Sequence, residues 1–94
     1  MVQSKKILIV GAGEAGASLV KDLKARGAWS SVAGFADDDP LKIGKEISGI
    51  KVLCNIDDIS AICDEQNITD VIIAIPSAKS SLINRITEKV LTAK

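Results

Sequence analysis

The sequence contains no histidine and no tyrosine, and Trp29 and Phe35 are its only aromatic residues. Without tyrosine a Tyr-x-x-x-Lys pair cannot exist, which excludes short-chain dehydrogenase chemistry for these residues, and without histidine the commonest general base is missing. Nothing resembles an activated nucleophile, so no catalytic residue is assigned. Cys54 and Cys63 are the sole cysteines; they lack C-x-x-C spacing and a histidine partner, and no metal site is expected. Two reduced, partly buried thiols in a reducing, cytoplasmic setting account for them. No apolar run approaches the ~20 residues of a membrane-spanning helix. The longest, from Val71 to Ile75, stops at a proline. Met1 to Lys6 is polar and leads straight into a strand, unlike a signal peptide. The 12 Lys and Arg residues balance 12 Asp and Glu, with no cationic run, which argues against nucleic acid or an anionic membrane as a partner.

What remains is a chain of 94 residues with 47% hydrophobic content, carried by Ile, Val, Leu and Ala. That length holds one domain at most, and residues 1–94 read as a single Rossmann-like unit, a fragment of a larger multidomain protein. Ile7-Leu8-Ile9-Val10 is a continuous apolar run, suited to a strand buried on both faces. From Glu14 to Arg26 the residues Ala15, Leu19, Val20 and Leu23 recur at helical spacing, and Gly27 ends the helix. A second strand spans Ser31 to Ala36 and breaks at Asp37-Asp38-Asp39-Pro40. Leu41 to Gly49 is too short for a crossover helix, so the third strand, Ile50 to Leu53, joins by a compressed crossover or a hairpin-like return; the sequence leaves both open. Asp57 and Asp58 open a helix with Ile59, Ile62 and Cys63 inward, ending near Asn67. Asp70 to Ile75 is another buried strand, and Leu82, Ile83, Ile86 and Val90 mark one side of a final helix. The predicted fold is α/β, a mostly parallel open sheet of order 3-2-1-4 flanked by helices.

Gly11-Ala12-Gly13-Glu14-Ala15-Gly16 is a complete G-x-G-x-x-G between a buried strand and a helix. Gly11 suits the tight turn, Gly13 the approach of a pyrophosphate, and Gly16 the packing of helix on strand. Glu14 stands at the positive end of the helix dipole, either as a helix-start acid or as a partner for a ligand hydroxyl. An acid about 20 residues past the glycines accepts from the adenosine ribose in such folds, and Asp37, with Asp38 beside it, stands there. A carboxylate at that position disfavours the extra phosphate of NADP, so NAD is the expected cofactor, with CoA or another nucleotide as alternatives. Pro76 and Ser77 follow the last strand on the same sheet edge, where Ser77 and Ser80 would donate to a ligand or cap the final helix.

Taken in order, the glycine segment, Gly34-Phe35-Ala36-Asp37-Asp38-Asp39-Pro40, Lys42-Ile43-Gly44-Lys45, Ile47 to Leu53 and Asp70 to Ser77 resemble a known module. It is the N-terminal Rossmann-like, CoA-binding-like domain of bacterial nucleoside-diphosphate-sugar dehydratases and epimerases of polysaccharide biosynthesis, including UDP-sugar 4,6-dehydratases and UDP-quinovosamine 4-dehydrogenases. The second strand departs from that pattern in reading Gly-Phe-Ala where the family more often has a larger residue before the aspartates. The resemblance implies a parent enzyme anchored in the inner membrane, with this domain on the cytoplasmic side and a downstream catalytic domain as its partner. It also implies that Gly11, Gly13, Gly16, Asp37 and Ser77 line a nucleotide pocket.

Two functions are compatible with these residues. In one, the chain is the NAD- or nucleotide-binding domain of a nucleotide-sugar dehydratase, epimerase or 4-dehydrogenase. In the other it is a non-catalytic regulatory or assembly module whose pocket is vestigial or senses a small nucleotide, and which would self-associate as a homo-oligomer.

Overall fold

The computed structural model describes residues 5–93, so the polar lead-in read at Met1 to Lys6 falls largely outside the described residues. Strand β1, Ile7–Val10, is buried at all its positions, as an apolar run without polar alternation requires. Helix α1, Glu14–Ala25, turns Val20 inward, and Gly27, in the left-handed region at φ +73°, takes the chain away from it. A 3₁₀ turn, Trp29–Ser31, leads into β2, Val32–Ala36.

The link that follows resolves the choice left open by the sequence, because both forms are present. Strand β3, Glu46–Ile47, pairs antiparallel with β4, Ile50–Cys54, while β4 itself runs parallel to β2. Ser48 at φ +54° and Gly49 at φ +82° form the two-residue connection. Two successive left-handed residues are what a type I′ hairpin needs to match the twist of its strands. The crossover from β2 to β4 is thus made without a helix.

After β4, Asn55 caps a 3₁₀ turn, Ile56–Asp58, by accepting the Asp58 N–H at 2.9 Å. Helix α2, Ile59–Gln66, continues it and ends at Asn67, left-handed at φ +54°. Strand β5, Asp70–Ile73, and helix α3, Ser80–Leu91, complete the described chain. The sheet order is β3-β4-β2-β1-β5, with β4, β2, β1 and β5 mutually parallel. Numbering only the parallel strands gives the predicted 3-2-1-4.

The sheet separates two apolar layers. On one side α1 places Val20 against Ile7, Ile9, Phe35 and Val52. On the other, Ile59 and Cys63 of α2 and Ile86 of α3 pack on Leu8, Val10 and Ala36. One expectation is corrected here: β5 is half exposed, with Ile73 at 36% exposure. Its apolar composition matches that of β1, but β5 lies at the sheet edge and β1 between two neighbours. Position in the sheet, which composition does not encode, decides burial.

Helix α1 meets β1 through Gly16. A Cβ there would run into the carbonyl oxygen of Gly11 and approach Cε1 of Phe35 to 3.0 Å. Gly16→Ala should therefore destabilise the chain by about 2–3 kcal/mol through overpacking, seen as a fall in melting temperature of roughly 10–20 °C for a domain of this size. An unchanged melting temperature would contradict the close helix–strand contact.

Candidate functional site

The carboxyl ends of β1, β2 and β5 open on one edge of the sheet, and the turns that leave them enclose a cleft of about 490 Å³. The Gly11 N–H donates to the Ala36 carbonyl at 2.8 Å, and the Asp37 N–H to the Cys54 carbonyl at 3.0 Å, so the ladder continues one step past each strand. Gly11 then turns at φ +111°, and a Cβ on it would meet the Ala74 carbonyl oxygen at 2.7 Å and Cγ1 of Ile75 at 2.9 Å. The turn after β1 thus lies directly against the chain leaving β5.

Asp37 organises the cleft. Its Oδ2 accepts the Ala12 N–H at 2.8 Å and its Oδ1 accepts the Asp39 N–H at 2.9 Å. One carboxylate therefore holds the glycine turn and its own turn together. Lys42 approaches the same group: its Nζ lies 3.9 Å from Asp37 Oδ2 and 3.4 Å from the Ala12 carbonyl oxygen. Asp38 faces the opposite flank, where Oδ1 accepts the Ile56 N–H at 3.0 Å and Oδ2 accepts from Arg85 Nη1 at 2.9 Å. Arg85 also donates to Asp57 through Nη2 at 2.8 Å, which ties α3 to the turn before α2.

The three glycines separate by role. Gly11 and Gly16 are required by close approaches within the fold, whereas a Cβ on Gly13 would meet nothing within 4 Å. Gly13 has φ −93°, caps α1 without a side-chain hydrogen bond, and lines the cleft. Its lack of a side chain leaves space at the helix N-terminus, where free backbone N–H groups and the helix dipole favour an anion.

Of the ten residues predicted from sequence, Gly11, Gly13, Glu14, Ala15, Asp37, Asp38 and Pro76 line the cleft. Ala12 is 3% exposed and contributes through its peptide. Gly16 stands behind the turn as packing. Ser77 is exposed, in a tight turn closed by the Ala78 N–H on the Ile75 carbonyl, and is not among the cleft residues. It does not cap α3 either, since Lys79 occupies that position without a side-chain bond. Sequence reasoning missed Lys42, Ile56 and Leu82, which also line the cleft. Leu82 was legible only as an apolar helix position, and no spacing rule brings Lys42 to Asp37.

The cysteines take no part in the cleft. Burial, reinforced by Asp58 and Cys63, pushes the Cys54 thiol up to about 11, and burial with Asp64 also raises Cys63. Both thiols are buried, free and held protonated, unlike the exposed, low-pKa thiolates of redox-active cysteines. At pH 8 the Cys54 thiolate fraction is on the order of one in a thousand. The folded chain should therefore resist iodoacetamide at pH 8, and both thiols should alkylate on unfolding; fast labelling of the folded chain would contradict this burial.

The Arg85 hydrogen bonds hold the Asp57 carboxyl below its ordinary 3.8. A carboxyl lowered in the folded state contributes stability above its unfolded pKa and loses it as pH falls through the folded value. Arg85→Met should therefore lower the melting temperature at pH 7 more than at pH 2.5. An equal loss at both pH values would show that Arg85 acts through packing alone.

Together the glycine turn, the acid after β2 and their place at the carboxyl edge of a parallel sheet define a Rossmann-type nucleotide-binding domain. The model of the CoA-binding domain matches residues 2–93, and the chain belongs to that family. A redox-sensing transcriptional repressor Rex from Desulforamulus reducens is 40% identical over 73 residues, covering 76% of this chain and 33% of the repressor. Among solved structures, UDP-D-quinovosamine 4-dehydrogenase from Vibrio fischeri has a TM-score of 0.76 and 28% identity, over 95% of this chain and 71% of that one. RSP, a Rex-family repressor solved with β-NAD+ and operator DNA, has a TM-score of 0.71 at 18% identity, over 92% of this chain and 40% of that one, a likeness of fold. The chain spans about a third of the length of the curated repressor it matches.

These relatives correct one expectation. Balanced charge argued against any nucleic-acid partner, yet the curated relative is a transcriptional repressor and RSP was solved with operator DNA. Net charge describes only the surface of these residues, whereas a repressor of which the match covers 33% has room for DNA contacts elsewhere. The nucleotide-sugar resemblance finds a counterpart in the Vibrio fischeri protein, while the curated relatives name repressors instead. Among the described residues no helix is long and apolar enough to cross a membrane.

Proposed function

We propose that this chain is a non-catalytic, nucleotide-responsive module that holds the adenosine diphosphate half of NAD(H) in a regulatory protein. The observation that carries this reading is Gly13, the one glycine of the turn whose missing side chain serves no contact within the fold. A residue kept bare for a ligand leaves such a vacancy. Gly13 and the start of α1 would hold the pyrophosphate, and Asp37, already positioned by two backbone N–H groups, would accept from the ribose hydroxyls. The titratable residues lining the cleft are Glu14, Asp37, Asp38 and Lys42, and two of these are engaged in holding the turns. That inventory suits binding without proton transfer, and identity of 40% to a redox-sensing repressor supports a regulatory role.

NAD+ and NADH share their adenosine diphosphate half, and a site with equal affinity for both shifts no equilibrium. Discrimination between the two would belong to groups that meet the nicotinamide.

A second reading is a domain of a nucleotide-sugar dehydrogenase or dehydratase, favoured by the 28% identity to the Vibrio fischeri enzyme over most of its solved chain. Calorimetric titration separates the two. The regulatory reading expects ADP, NAD+ and NADH to bind with affinities within about threefold of each other, since they share the recognised half. UDP-sugars should bind far more weakly. Gly13→Leu should weaken NADH at least roughly tenfold by filling the phosphate space, while its melting temperature stays within a few degrees, in contrast to Gly16→Ala. Undiminished NADH binding by a folded Gly13→Leu chain would overturn the proposal, and selective binding of a UDP-sugar would favour the enzyme reading.

A further inference from the structure

The two edges of the sheet are built differently. One ends in β3, a strand of 2 residues of which Glu46 is charged. The other is β5, which among the described residues pairs with β1 alone. Short strands and charged side chains keep an edge from accepting a further strand, and β5 carries neither guard along Val71-Ile72-Ile73-Ala74-Ile75, a run without charge, glycine or proline.

The ladder to β1 fixes which groups face that edge. The Asp70 N–H donates to the Lys6 carbonyl at 3.2 Å and the Ala74 N–H to the Val10 carbonyl at 2.8 Å, so the even-numbered residues direct their backbone groups at β1. By the period of two, Val71 and Ile73 direct theirs outward. Side chains alternate between the faces in the same way. Ile72 and Ala74 pack on the α1 layer, and Val71 and Ile75 on the layer under α2 and α3. Ile73 shares the face of Val71 and Ile75 and is 36% exposed, while Ile83 of α3 is 40% exposed.

We propose that β5 is a self-association edge, on which a second copy of this chain pairs antiparallel through Ile73 and joins two sheets into one. A head-to-tail partner would have to offer β3, which is too short to cover the run. A parallel copy would set Asp70 against Asp70, and like charges directly opposite destabilise a strand pair. The antiparallel copy, with Ile73 opposite Ile73, sets Val71 opposite Ile75 and Ile72 opposite Ala74. It also turns the exposed Asp70 toward the end of the partner strand, beyond which Lys79 is exposed. Such a contact is isologous and closes on itself. Its two-fold axis is perpendicular to the sheet, so both α3 helices lie on one face, the face that carries the paired Ile73 side chains. One strand pair with its flanking helices is smaller than the ~1,600 Å² of a standard interface, so the dimer is weak, with a Kd on the order of 100 μM. Neither Val71 nor Ile73 lines the cleft, and the proposal is independent of the nucleotide reading.

Sedimentation equilibrium of the full chain, from about 5 μM to about 1 mM, tests this together with amide hydrogen exchange at both limits. The expected mass rises from monomer toward dimer, and the Val71 and Ile73 amides exchange at least roughly tenfold more slowly at the upper limit. Ile73→Pro removes an outward N–H and none that faces β1, as proline at a sheet edge allows, and should remain monomeric throughout. Ile73→Lys, which puts a charge on the edge without touching the backbone, should do the same and carries the test if the proline variant does not fold. A dimer that persists in both variants, or that leaves the Val71 and Ile73 amides exchanging as fast as in the monomer, overturns the proposal. A wild-type chain that stays monomeric at about 1 mM also overturns it, in favour of an unlike strand as the occupant of this edge.

Discussion

The site depends on one carboxylate. Asp37 receives the Ala12 N–H from the turn after β1 and the Asp39 N–H from its own turn. Removing it would leave the Ala12 N–H without this partner at a residue only 3% exposed, and an unsatisfied buried donor costs about 1–3 kcal/mol. The bond also sets the distance between two adjacent strand ends, which is the width of the cleft. A group that positions the glycine turn can also accept from a ligand, because each carboxylate oxygen has a second acceptor site beyond the one its backbone bond uses. Under the proposed function, structural and binding roles coincide at Asp37 and separate at the glycines.

The other flank of the cleft is held differently. Asp38 and Asp57 share Arg85, so the end of β2, the turn before α2 and helix α3 meet through one guanidinium. These ion pairs are exposed and each contributes little on its own. The Asp38 bond to the Ile56 N–H adds a backbone anchor, and beneath it Ile56, Ile59 and Ile86 are nearly fully buried. The ionic contacts therefore orient α3 over an apolar layer that supplies most of the stability. In a chain with so few aromatic residues, Phe35 is the largest fully buried side chain among the described residues, and it lies beside Gly16 under α1.

Features governed by local rules were legible in the sequence. The apolar run of β1, the glycine turn and the amphipathic α1 follow from residue order, and together they determine the parallel order around β1. Asp37 was legible because its distance from the glycines is a consequence of that order. The half-exposure of β5 was not, since Asp70 to Ile75 carries the same apolar signature as β1 and only its place in the sheet distinguishes it. The hairpin of β3 rests on left-handed Ser48, a conformation that no local signal at serine announces. Lys42 and Arg85 reach their partners across loops, through contacts that exist only after the sheet has formed. Charge balance misled for a different reason, since it was extended from these residues to the partners of a longer protein.

The central claim is that the cleft at the ends of β1, β2 and β5 is a nucleotide site organised by Asp37. Titration of the ¹⁵N-labelled chain with NADH, followed by amide chemical shifts, tests it most directly. The account predicts concentration-dependent shifts concentrated at Gly11 to Ala15, Asp37 to Asp39, Lys42 and the start of α3, with little change at the β3–β4 hairpin. Shifts absent from the Gly13 and Asp37 amides of a folded chain, or clustered at the hairpin, would contradict it.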